Sequence, residues 1–401
     1  MRYTDTMTSG RKTFQRSELT KEICVVVGTR PGIVMMAPLI HELGRRQVPH
    51  FVVHTGQHYS PAMDADLFED LGLPQADYRL EGVAERRTHG GQTAGMLEGS
   101  EKVFMERRPR VVVVNGDANT NLAAALAARK LHMIVAHTEA GVRSGDWRMP
   151  EEHNRVIMDH ISDLLFASDT PSVRALEQER VRGEIHRSGN TIVDASVMSV
   201  AKAETGSSIL ERLGLEPGNY SIGTLHREET VDVPEYLQTA LTGIAEAADN
   251  IGRPAIFFLH PRTYARLKEF GLLSWVKNLN GLVIHPAVSY LDFQRALSNA
   301  AVVFTDSGGV QQEACIHKVP CVTVKDSSEW PETIDISANR VTGLDVRAIV
   351  EAANEAIEGA REWPIPFGDG AASARIVDVL ERCLIEDPSL APLPVVTADR
   401  V

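Results

Sequence analysis

Short, continuous runs of apolar residues recur along this chain and are separated by segments long enough to form helices. Runs that are continuous rather than alternating are typical of strands that helices cover on both faces. Strands that alternate with helices predict parallel, doubly wound sheets with right-handed crossovers. The runs predicted as strands are Ile23–Gly28, Phe51–Gly56, Val111–Gly116, Met133–Thr138, Leu164–Asp169, Ile185–Asn190, Tyr220–Leu225, Ala255–His260, Leu282–Ala287, Val302–Ser307 and Cys321–Asp326.

The number of these strands and the length of the chain both predict two domains. Eleven strands are too many for one comfortable sheet, and 401 residues exceed the usual size of one domain. We expect two Rossmann-like domains at 21–195 and 196–386, with the last helix packing back on the first domain. Residues 1–20 are predicted to be a loosely ordered tail and residues 387–401 a flexible tail.

Composition excludes several classes of function. Acidic residues outnumber basic ones by 54 to 41, so the net charge is −13, and no long basic run occurs. Binding to nucleic acid or to a membrane is therefore not expected, although a local pocket can still bind an anionic small molecule. The first residues lack the apolar core of a secretion signal, and four cysteines show no CxxC pairing. These features predict a cytoplasmic protein with reduced thiols.

Polar residues suited to chemistry gather immediately after the predicted strands. Open parallel sheets bind ligands at the carboxyl ends of their strands, so two such rims facing each other would form a cleft. This common location is stronger evidence for a site than any single motif. The residues at these ends include Arg30, Asp117, Glu139, His226, His260 and the turn 306–309.

Two glycine-containing turns could bind phosphate. The turn 28–32 lacks both the dinucleotide fingerprint and the phosphate-loop lysine, so neither a nicotinamide cofactor nor ATP is expected. The turn 306–309 precedes a plausible helix, where its glycines would let a phosphate approach free N–H groups and Asp306 or Ser307 could cap the helix. A strand-to-helix corner that needs small residues explains the second turn equally well.

The candidate carboxylates also have structural explanations. Asp117 and Glu139 could cap helices, or they could have a raised pKa and transfer protons. Glu151 and Arg155 are four residues apart in the predicted first turns of a helix. An ion pair on a solvated helix is the simpler interpretation of that spacing.

Two histidines, His226 and His260, follow strands of the second half. They could be core histidines, metal ligands or cationic partners of a diphosphate. Because no HExxH motif or comparable spacing occurs, no metal site is predicted.

Short motifs follow one another in a characteristic order along almost the whole chain, from about Ile23 to Cys383. In these motifs the chain resembles the UDP-N-acetylglucosamine 2-epimerase family of sugar-nucleotide isomerases, most closely its non-hydrolysing type. The matching motifs are GTRP (28–31), APL (37–39), GQH (56–58), GD (116–117), EAGxRSGD (139–146), PEExNR (150–155), SGNTxVDA (188–195), HREE (226–229), TDSGG (305–309) and WPE (330–332).

The resemblance implies both a fold and a reaction. The fold would be two Rossmann-like domains facing a cleft, as in glycosyltransferases of the GT-B type. UDP would leave carbon 1 of UDP-N-acetylglucosamine as carbon 2 loses its proton, and would re-add to the 2-acetamidoglucal to give UDP-N-acetylmannosamine. No cofactor is needed for this chemistry. A homodimer that serves polysaccharide biosynthesis is expected as well.

The resemblance also implies roles for particular residues. Proton transfer is expected of Asp117, Glu139 and Glu151, and His226 is expected beside the diphosphate. The turn 307–309 matches the diphosphate-binding turn, Glu313 the carboxylate that holds the ribose hydroxyls, and Phe293 an aromatic residue of the uracil pocket. The full set expected to contact the substrate is Arg30, Arg143, Arg155, His260, Phe293, Ser307, Gly308, Gly309 and Glu313.

Two positions depart from the family pattern. Met35 stands where a substrate-site lysine is expected, and Trp330 replaces the arginine of a TERPE motif. Two cations near the ligand are thereby lost, and the tryptophan offers a flat apolar wall instead. The alternatives are an epimerase of a UDP-2,3-diacetamido uronic acid, a hydrolysing epimerase that releases N-acetylmannosamine and UDP, and, more distantly, a GT-B glycosyltransferase.

Overall fold

The structure is a computed structural model that describes residues 14–57 and 61–389. Within these ranges the chain forms two compact units, each built on one parallel sheet. Unit 1 comprises the described residues up to Asp64, then Pro74–Asn190 and those from Ala371 onward. Unit 2 comprises Ala65–Leu73 and Thr191–Gly370. The predicted tails fall mostly on 1–13 and 390–401, which lie outside the described residues.

The sheet of unit 1 has, within the described residues, seven parallel strands. They are β1 (Ile23–Val27), β2 (His50–His54), β3 (Tyr78–Arg79), β4 (Val111–Asn115), β5 (Ile134–Ala140), β6 (Leu164–Ala167) and β7 (Glu184–Arg187). Their order in the sheet is β3-β2-β1-β4-β5-β6-β7. The central strands β1 and β4 are buried along their whole length, because apolar side chains on both faces meet helices.

Helices connect these strands. They are α1 (Arg30–Arg45), α2 (Pro61–Leu71), α3 (His89–Arg107), α4 (Asn119–Lys130), α5 (Pro150–Ile161) and α6 (Thr170–Gln178), after a 3-10 turn at Arg16–Glu18. The start of α1 is encoded locally, since the Thr29 side chain accepts a hydrogen bond from the N–H of Gly32 and Pro31 occupies the first turn.

Unit 2 repeats the arrangement with six parallel strands in the part of the chain that the structure describes. They are β8 (Ser221–Thr224), β9 (Ala255–Leu259), β10 (Leu282–Pro286), β11 (Val303–Thr305), β12 (Cys321–Thr323) and β13 (Asn339–Val341). Their order is β10-β9-β8-β11-β12-β13. Its helices are α7 (Thr191–Gly206), α8 (Ile209–Leu213), α9 (Glu228–Val231), α10 (Pro234–Asn250), α11 (Pro261–Glu269), α12 (Leu273–Val276), α13 (Tyr290–Ser298), α14 (Gly308–Ile316), α15 (Pro331–Asp335) and α16 (Val346–Glu358).

The last helix, α17 (Ala372–Cys383), is part of unit 1 and packs on α1. Arg46, which follows α1, forms ion pairs with Asp378 at 2.5 Å and with Glu381 at 3.0 Å. Among the helices of residues 14–57 and 61–389, none combines the length and the hydropathy that crossing a membrane requires.

The predicted fold class, two doubly wound parallel-sheet domains, is confirmed. Each of the eleven predicted runs contains or overlaps a strand. The prediction missed β3 and β13, each of which lies at one of the two edges of its sheet; they have two and three residues. Their sequences, YR and NRV, are mostly polar and do not form a continuous apolar run, so the apolar pattern carries no signal for them.

Each sheet reverses its strand order once, between β1 and β4 in unit 1 and between β8 and β11 in unit 2. At such a switch point the chain leaves neighbouring strands toward opposite faces, which opens a crevice beyond their carboxyl ends. Gly28 directly follows β1 and is closely packed: a Cβ there would lie 2.1 Å from the Oγ1 of Thr55 and 2.4 Å from that of Thr120. Only glycine, which has no Cβ, allows the Thr55 and Thr120 side chains to pack this closely against the backbone at position 28.

Candidate active site

Strand β5 carries Glu139 on a local irregularity near its carboxyl end. The pairing with β6 shifts between Thr138 and Ala140, and Glu139 itself has a φ of +65°. A non-glycine residue with positive φ is uncommon and is often found at functional sites. The distortion aims the carboxylate over Gly116, where a Cβ would lie 2.9 Å from its Oε2. The Asn190 side chain donates a hydrogen bond to Oε1 at 3.0 Å.

Glu139 is positioned to hold a proton. Burial and the negative charge of Asp117 raise its pKa to about 7, against the opposing effects of Asn190, Arg155 and His137. Its side chain nevertheless stays partly accessible. A partly accessible carboxyl with a pKa near neutrality can both accept and return a proton at neutral pH.

Asp117, which follows β4, is paired with Arg155 of α5 through a carboxylate–guanidinium hydrogen bond. Arg155 also donates to Glu152 at 2.8 Å. The expected ion pair between Glu151 and Arg155 is therefore wrong, because the guanidinium faces Glu152 and Asp117. Glu152 is 3% exposed and accepts hydrogen bonds from the N–H and hydroxyl groups of Ser144, both at 3.0 Å. It was not among the predicted residues, although it stands in the matched motif PEExNR.

Two further predicted residues of unit 1 keep their charged groups available. Glu151 lies in the first turn of α5, and Arg30 is the first residue of α1 beyond the switch point. Both are partly exposed, and neither side chain forms a hydrogen bond or ion pair with another residue in the described ranges. Their freedom agrees with a role toward a ligand. Of the predicted residues, Asp117 and Arg155 are in direct contact, and the charges of both act on Glu139.

Arg143 has a different environment from the one expected. Its guanidinium donates to Asp159 at 2.7 Å, to Glu179 at 2.7 and 2.8 Å, and to the carbonyl of Val142 at 2.7 Å. All three nitrogens are thus occupied by protein acceptors. The direct substrate contact predicted for Arg143 remains a prediction, and its present contacts are those of a residue that ties β5, α5 and α6 together.

In unit 2, His226 follows β8 beside His260, with the two ring centroids 4.9 Å apart. Burial and the nearby cations Arg227, Lys325 and Arg262 lower the pKa of His226 to about 4, so its ring is neutral at pH 7. The main-chain N–H of His226 donates to Asp306 at 3.0 Å. A neutral imidazole can give one hydrogen bond to a ligand but cannot act as a cationic partner.

The glycine turn after β11 leaves the start of α14 open. Ser307 is the N-cap residue without a side-chain capping hydrogen bond, and Asp306 accepts instead from the N–H groups of His226 and Arg227. The first N–H groups of a helix have no partner inside the helix and attract anions. Space is available, since a Cβ on Gly309 would meet nothing within 4 Å.

Glu313, one turn further along α14, is 7% exposed and accepts a hydrogen bond from the hydroxyl of Tyr290 at 2.9 Å. Burial raises the pKa of Glu313 to about 7. Phe293 lies on α13 with its ring edge-on to Phe258, the centroids 5.8 Å apart. Tyr290 was missed by the sequence analysis because a tyrosine in a helical segment carries no motif.

The two departures from the family pattern occupy different environments. Met35 is 8% exposed, and its sulfur accepts a hydrogen bond from the Asn115 side chain at 3.5 Å. Trp330 packs edge-on against Phe367 at 5.3 Å, and its Nε1 would lie 3.3 Å from a Cβ on Gly308. Trp330 therefore borders the glycine turn. Among the described residues, no group of three histidine, cysteine or acidic side chains could hold a metal ion.

Comparisons with known proteins agree with the motifs. The family model described as UDP-N-acetylglucosamine 2-epimerase matches residues 41–381. The UDP-N-acetylglucosamine 2-epimerase of Methanocaldococcus jannaschii is 42% identical over 362 residues, which cover 90% of this chain and 98% of that protein. Its crystal structure in complex with UDP-GlcNAc and UDP matches with a TM-score of 0.82 at 42% identity, covering 90% and 99% of the two chains.

A relative named for another substrate also matches. The UDP-2,3-diacetamido-2,3-dideoxy-D-glucuronate 2-epimerase of Pseudomonas aeruginosa is 35% identical over 366 residues, covering 90% of this chain and 99% of that protein. Both relatives are thus 2-epimerases of UDP-sugars, and both match nearly end to end. Sequence, fold and motif order agree, and the chain belongs to the UDP-N-acetylglucosamine 2-epimerase family of enzymes.

Proposed function

We propose that this enzyme inverts carbon 2 of a UDP-N-acetylhexosamine and interconverts UDP-N-acetylglucosamine and UDP-N-acetylmannosamine. The observation that carries the proposal is the Glu139 carboxyl, whose pKa is raised to about 7 beside Asp117 and Arg155. A carboxyl of this kind suits a reaction that removes a carbon-bound proton and later returns one. The M. jannaschii relative, named for this activity, supports the choice of substrate.

The reaction proceeds through elimination because the C–H bond at carbon 2 is not acidic enough for direct deprotonation. The bond between carbon 1 and the diphosphate oxygen breaks, and UDP leaves with the electron pair. The proton of carbon 2 passes to a carboxylate, and a double bond forms between carbons 1 and 2. Re-addition of UDP to carbon 1 then accompanies delivery of a proton to the opposite face of carbon 2.

Unit 1 would supply the proton transfers. The ion pair with Arg155 holds the Asp117 side chain in place, and we assign to Asp117 the acceptance of the proton. Glu139 can be protonated near neutral pH and would deliver the proton to the other face. Glu151 has no partner among the described residues and could exchange protons with either. The assignment of faces to these three acids is part of the proposal.

Unit 2 would hold the nucleotide. The open N–H groups at the start of α14 suit the diphosphate, and the neutral ring of His226 can donate one hydrogen bond to the leaving oxygen. Ionised Glu313 would accept hydrogen bonds from the ribose hydroxyls, with Phe293 beside the uracil. The substrate contact predicted for Arg30, at the start of α1 in unit 1, remains a prediction.

The test is proton and phosphorus NMR of the purified enzyme with UDP-N-acetylglucosamine in deuterated water. We expect deuterium to enter carbon 2 while signals of UDP-N-acetylmannosamine grow in. Free UDP with free N-acetylmannosamine would instead establish the hydrolysing reaction. An absence of exchange would contradict the proposed substrate.

A second candidate substrate is a UDP-2,3-diacetamido uronic acid. It is favoured by the loss of two cations at Met35 and Trp330 and by the 35% identity to the P. aeruginosa enzyme named for that substrate. The same NMR experiment with this sugar nucleotide decides the question, because the better substrate has the larger kcat/KM. The expected homodimer, cytoplasmic location and role in polysaccharide biosynthesis remain predictions.

A further inference from the structure

Four charged side chains of alternating sign form a series of contacts in unit 1 near Asp117 and Glu139. The proposed reaction does not use any of the four as a proton donor or acceptor. His137 of β5 contacts Asp159 of α5, Asp159 contacts Arg143, and Arg143 contacts Glu179. His137 and Asp159 are both 0% exposed. Burying charged groups costs free energy even when they are paired, so a buried series of charges is expected to have a function.

The contacts of His137 determine its protonation state. Its Nδ1 lies 2.7 Å from a carboxylate oxygen of Asp159, and its Nε2 lies 2.9 Å from the carbonyl oxygen of Gly116. Both partners can only accept a hydrogen bond, so each ring nitrogen must carry a proton. Burial opposes the resulting positive charge, but the ion pair with Asp159 and the hydrogen bonds to Asp159 and Gly116 outweigh it and raise the pKa of His137.

His137 and Asp159 also form hydrogen bonds with the backbone next to Asp117 and Glu139. Gly116 directly precedes Asp117, and its carbonyl accepts a hydrogen bond from His137. Gly141 comes two residues after Glu139, and its N–H donates to Asp159 at 3.1 Å. His137 and Asp159 therefore hold one backbone group beside each of the two carboxylates.

The backbone next to the two acids has an unusual conformation that requires support from surrounding contacts. Gly116, Glu139 and Gly141 all have positive φ values, of +66°, +65° and +82°. For Glu139 that conformation is disfavoured unless surrounding contacts maintain it. The Glu139 carboxylate also lies over Gly116, so a movement of Gly116 would displace both acids together.

We propose that His137 is a buried imidazolium which, with Asp159, positions Asp117 and Glu139 for proton transfer at carbon 2. The inference rests on the proposed function. His137 and Asp159 are positioning residues, since their side chains are fully buried and contact the main chain at Gly116 and Gly141. The guanidinium of Arg143 pairs with Asp159 and balances its negative charge. In this proposal the role of Arg143 is to stabilise Asp159 and not to contact the substrate.

The charge of His137 should also act on Glu139. The charged groups that affect Glu139 are Asp117 on the loop after β4, Arg155 on α5 and His137 on β5 itself. A positive charge nearby favours the ionised carboxylate and lowers its pKa. Removal of the charge of His137 should therefore shift the Glu139 midpoint of the pH–rate profile to higher pH, which a purely structural role would not do.

His137→Gln is the informative variant, because glutamine can still donate to the Gly116 carbonyl but carries no charge. We expect kcat for carbon-2 exchange to fall about 100-fold through misplacement of the acids. KM should change by less than about twofold, since the nucleotide contacts remain. The matched control is His132→Asn, at an exposed turn before β5 whose φ of +63° suits asparagine. Wild-type kcat and an unshifted pH profile in His137→Gln would overturn the proposal.

Nitrogen-15 NMR of histidine-labelled wild-type enzyme tests the protonation state without any variant. We expect one histidine with both ring nitrogens protonated at pH 8, and its signals should be absent from His137→Gln. If no histidine is doubly protonated at pH 8, the proposal is overturned, even where His137→Gln fails to fold. A wild-type enzyme that does not exchange deuterium at carbon 2 would contradict the proposed function, whereas equal exchange in wild type and variant would overturn only this inference.

Discussion

The two units share one architecture but present different chemistry at their switch points. The strand ends of unit 1 carry acids, among them Glu139 with a pKa raised to about 7. Those of unit 2 carry His226, whose pKa is lowered to about 4, beside an open glycine turn. Burial acts on both groups in the same sense, because it disfavours whichever form is charged.

The difference teaches that topology supplies a place and neighbouring charges supply the chemistry. Asp117 adds to the effect of burial on Glu139, so that a carboxyl keeps its proton near neutral pH. Arg227 and Lys325 add to the effect of burial on His226, so that an imidazole stays neutral. One edge is thus suited to carry protons and the other to hold an anion. The predictions below test this division, from the largest expected effect to the smallest.

Glu139→Gln should lower carbon-2 exchange about 1,000-fold or more, because an amide cannot carry the proton but keeps the size of the side chain. The affinity for UDP should be unchanged if nucleotide binding belongs to unit 2. Deuterium exchange by NMR and UDP binding by calorimetry measure the two quantities. Glu85→Gln, at an exposed position of the same unit, is the control. Exchange at the wild-type rate would remove Glu139 from the mechanism.

The neutral ring of His226 should contribute about 100-fold to turnover if it donates a hydrogen bond to the departing diphosphate. His226→Asn should therefore lower kcat by about that factor in steady-state assays. The pKa of His226 is lowered to about 4, so the histidine does not titrate near pH 6.5. The pH–rate profiles of wild type and His226→Asn should therefore not differ by a midpoint near that pH. An unaffected rate would show that the leaving group does not depend on His226.

The affinity for uridine should depend on the ionisation of Glu313. The pKa of Glu313 is raised to about 7, so its carboxylate form is lost as the pH falls through 7, and uridine should bind more weakly at pH 6 than at pH 8. Glu313→Gln should bind about 10-fold more weakly at pH 8, since charge-assisted hydrogen bonds are lost, and should show no such pH dependence.

Uridine is the suitable probe for that measurement, because it lacks the phosphate groups of UDP that titrate in the same range. Carbon-2 exchange by Glu313→Gln at saturating substrate should change little. Together with Glu139→Gln, this would separate binding from proton transfer. A pH-independent affinity in the wild type would contradict the assignment of Glu313 to the ribose.

The glycines of the two switch points should respond differently to alanine. Gly28→Ala should destabilise the fold by about 1–3 kcal/mol, because the new methyl would overlap the hydroxyls of Thr55 and Thr120. Gly309→Ala should leave stability nearly unchanged, since a Cβ there would meet no protein atom within 4 Å. It should weaken UDP binding, because the methyl group would take up space at the proposed diphosphate site. Gly44→Ala, in open space on α1, is the control and should stabilise by about 0.5–1 kcal/mol. Thermal unfolding measures all three, and equal stabilities of Gly28→Ala and Gly44→Ala would contradict the packing argument.

Much of the fold could be predicted because its determinants are local. Buried parallel strands produce continuous apolar runs, and eleven of them were recognisable in this way. The strands Tyr78–Arg79 and Asn339–Val341 were not, because each is only two or three residues long and contains an arginine, so neither forms a continuous apolar run. Motif order, together with the strand pattern, was sufficient to indicate the family.

The candidate site was only partly predictable. The motifs marked Asp117, Glu139 and Arg155, which the structure brings into one cluster. The four-residue spacing predicted an ion pair between Glu151 and Arg155, whereas Arg155 turns toward Glu152 and Asp117. Helical spacing alone permits both the i,i+3 and the i,i+4 partner, and the choice is made by a carboxylate on another loop.

By itself, the sequence determined the alternation of strands and helices, the two parallel sheets and the membership of an epimerase family, since each depends on the order of residues along the chain. Only the tertiary structure decided which groups hold protons. The raised pKa of Glu139, the neutral ring of His226 and the buried pair of His137 with Asp159 all arise from charges and burial contributed by separate elements. Electrostatic free energies depend on distances and desolvation in three dimensions, and no spacing in the sequence encodes them.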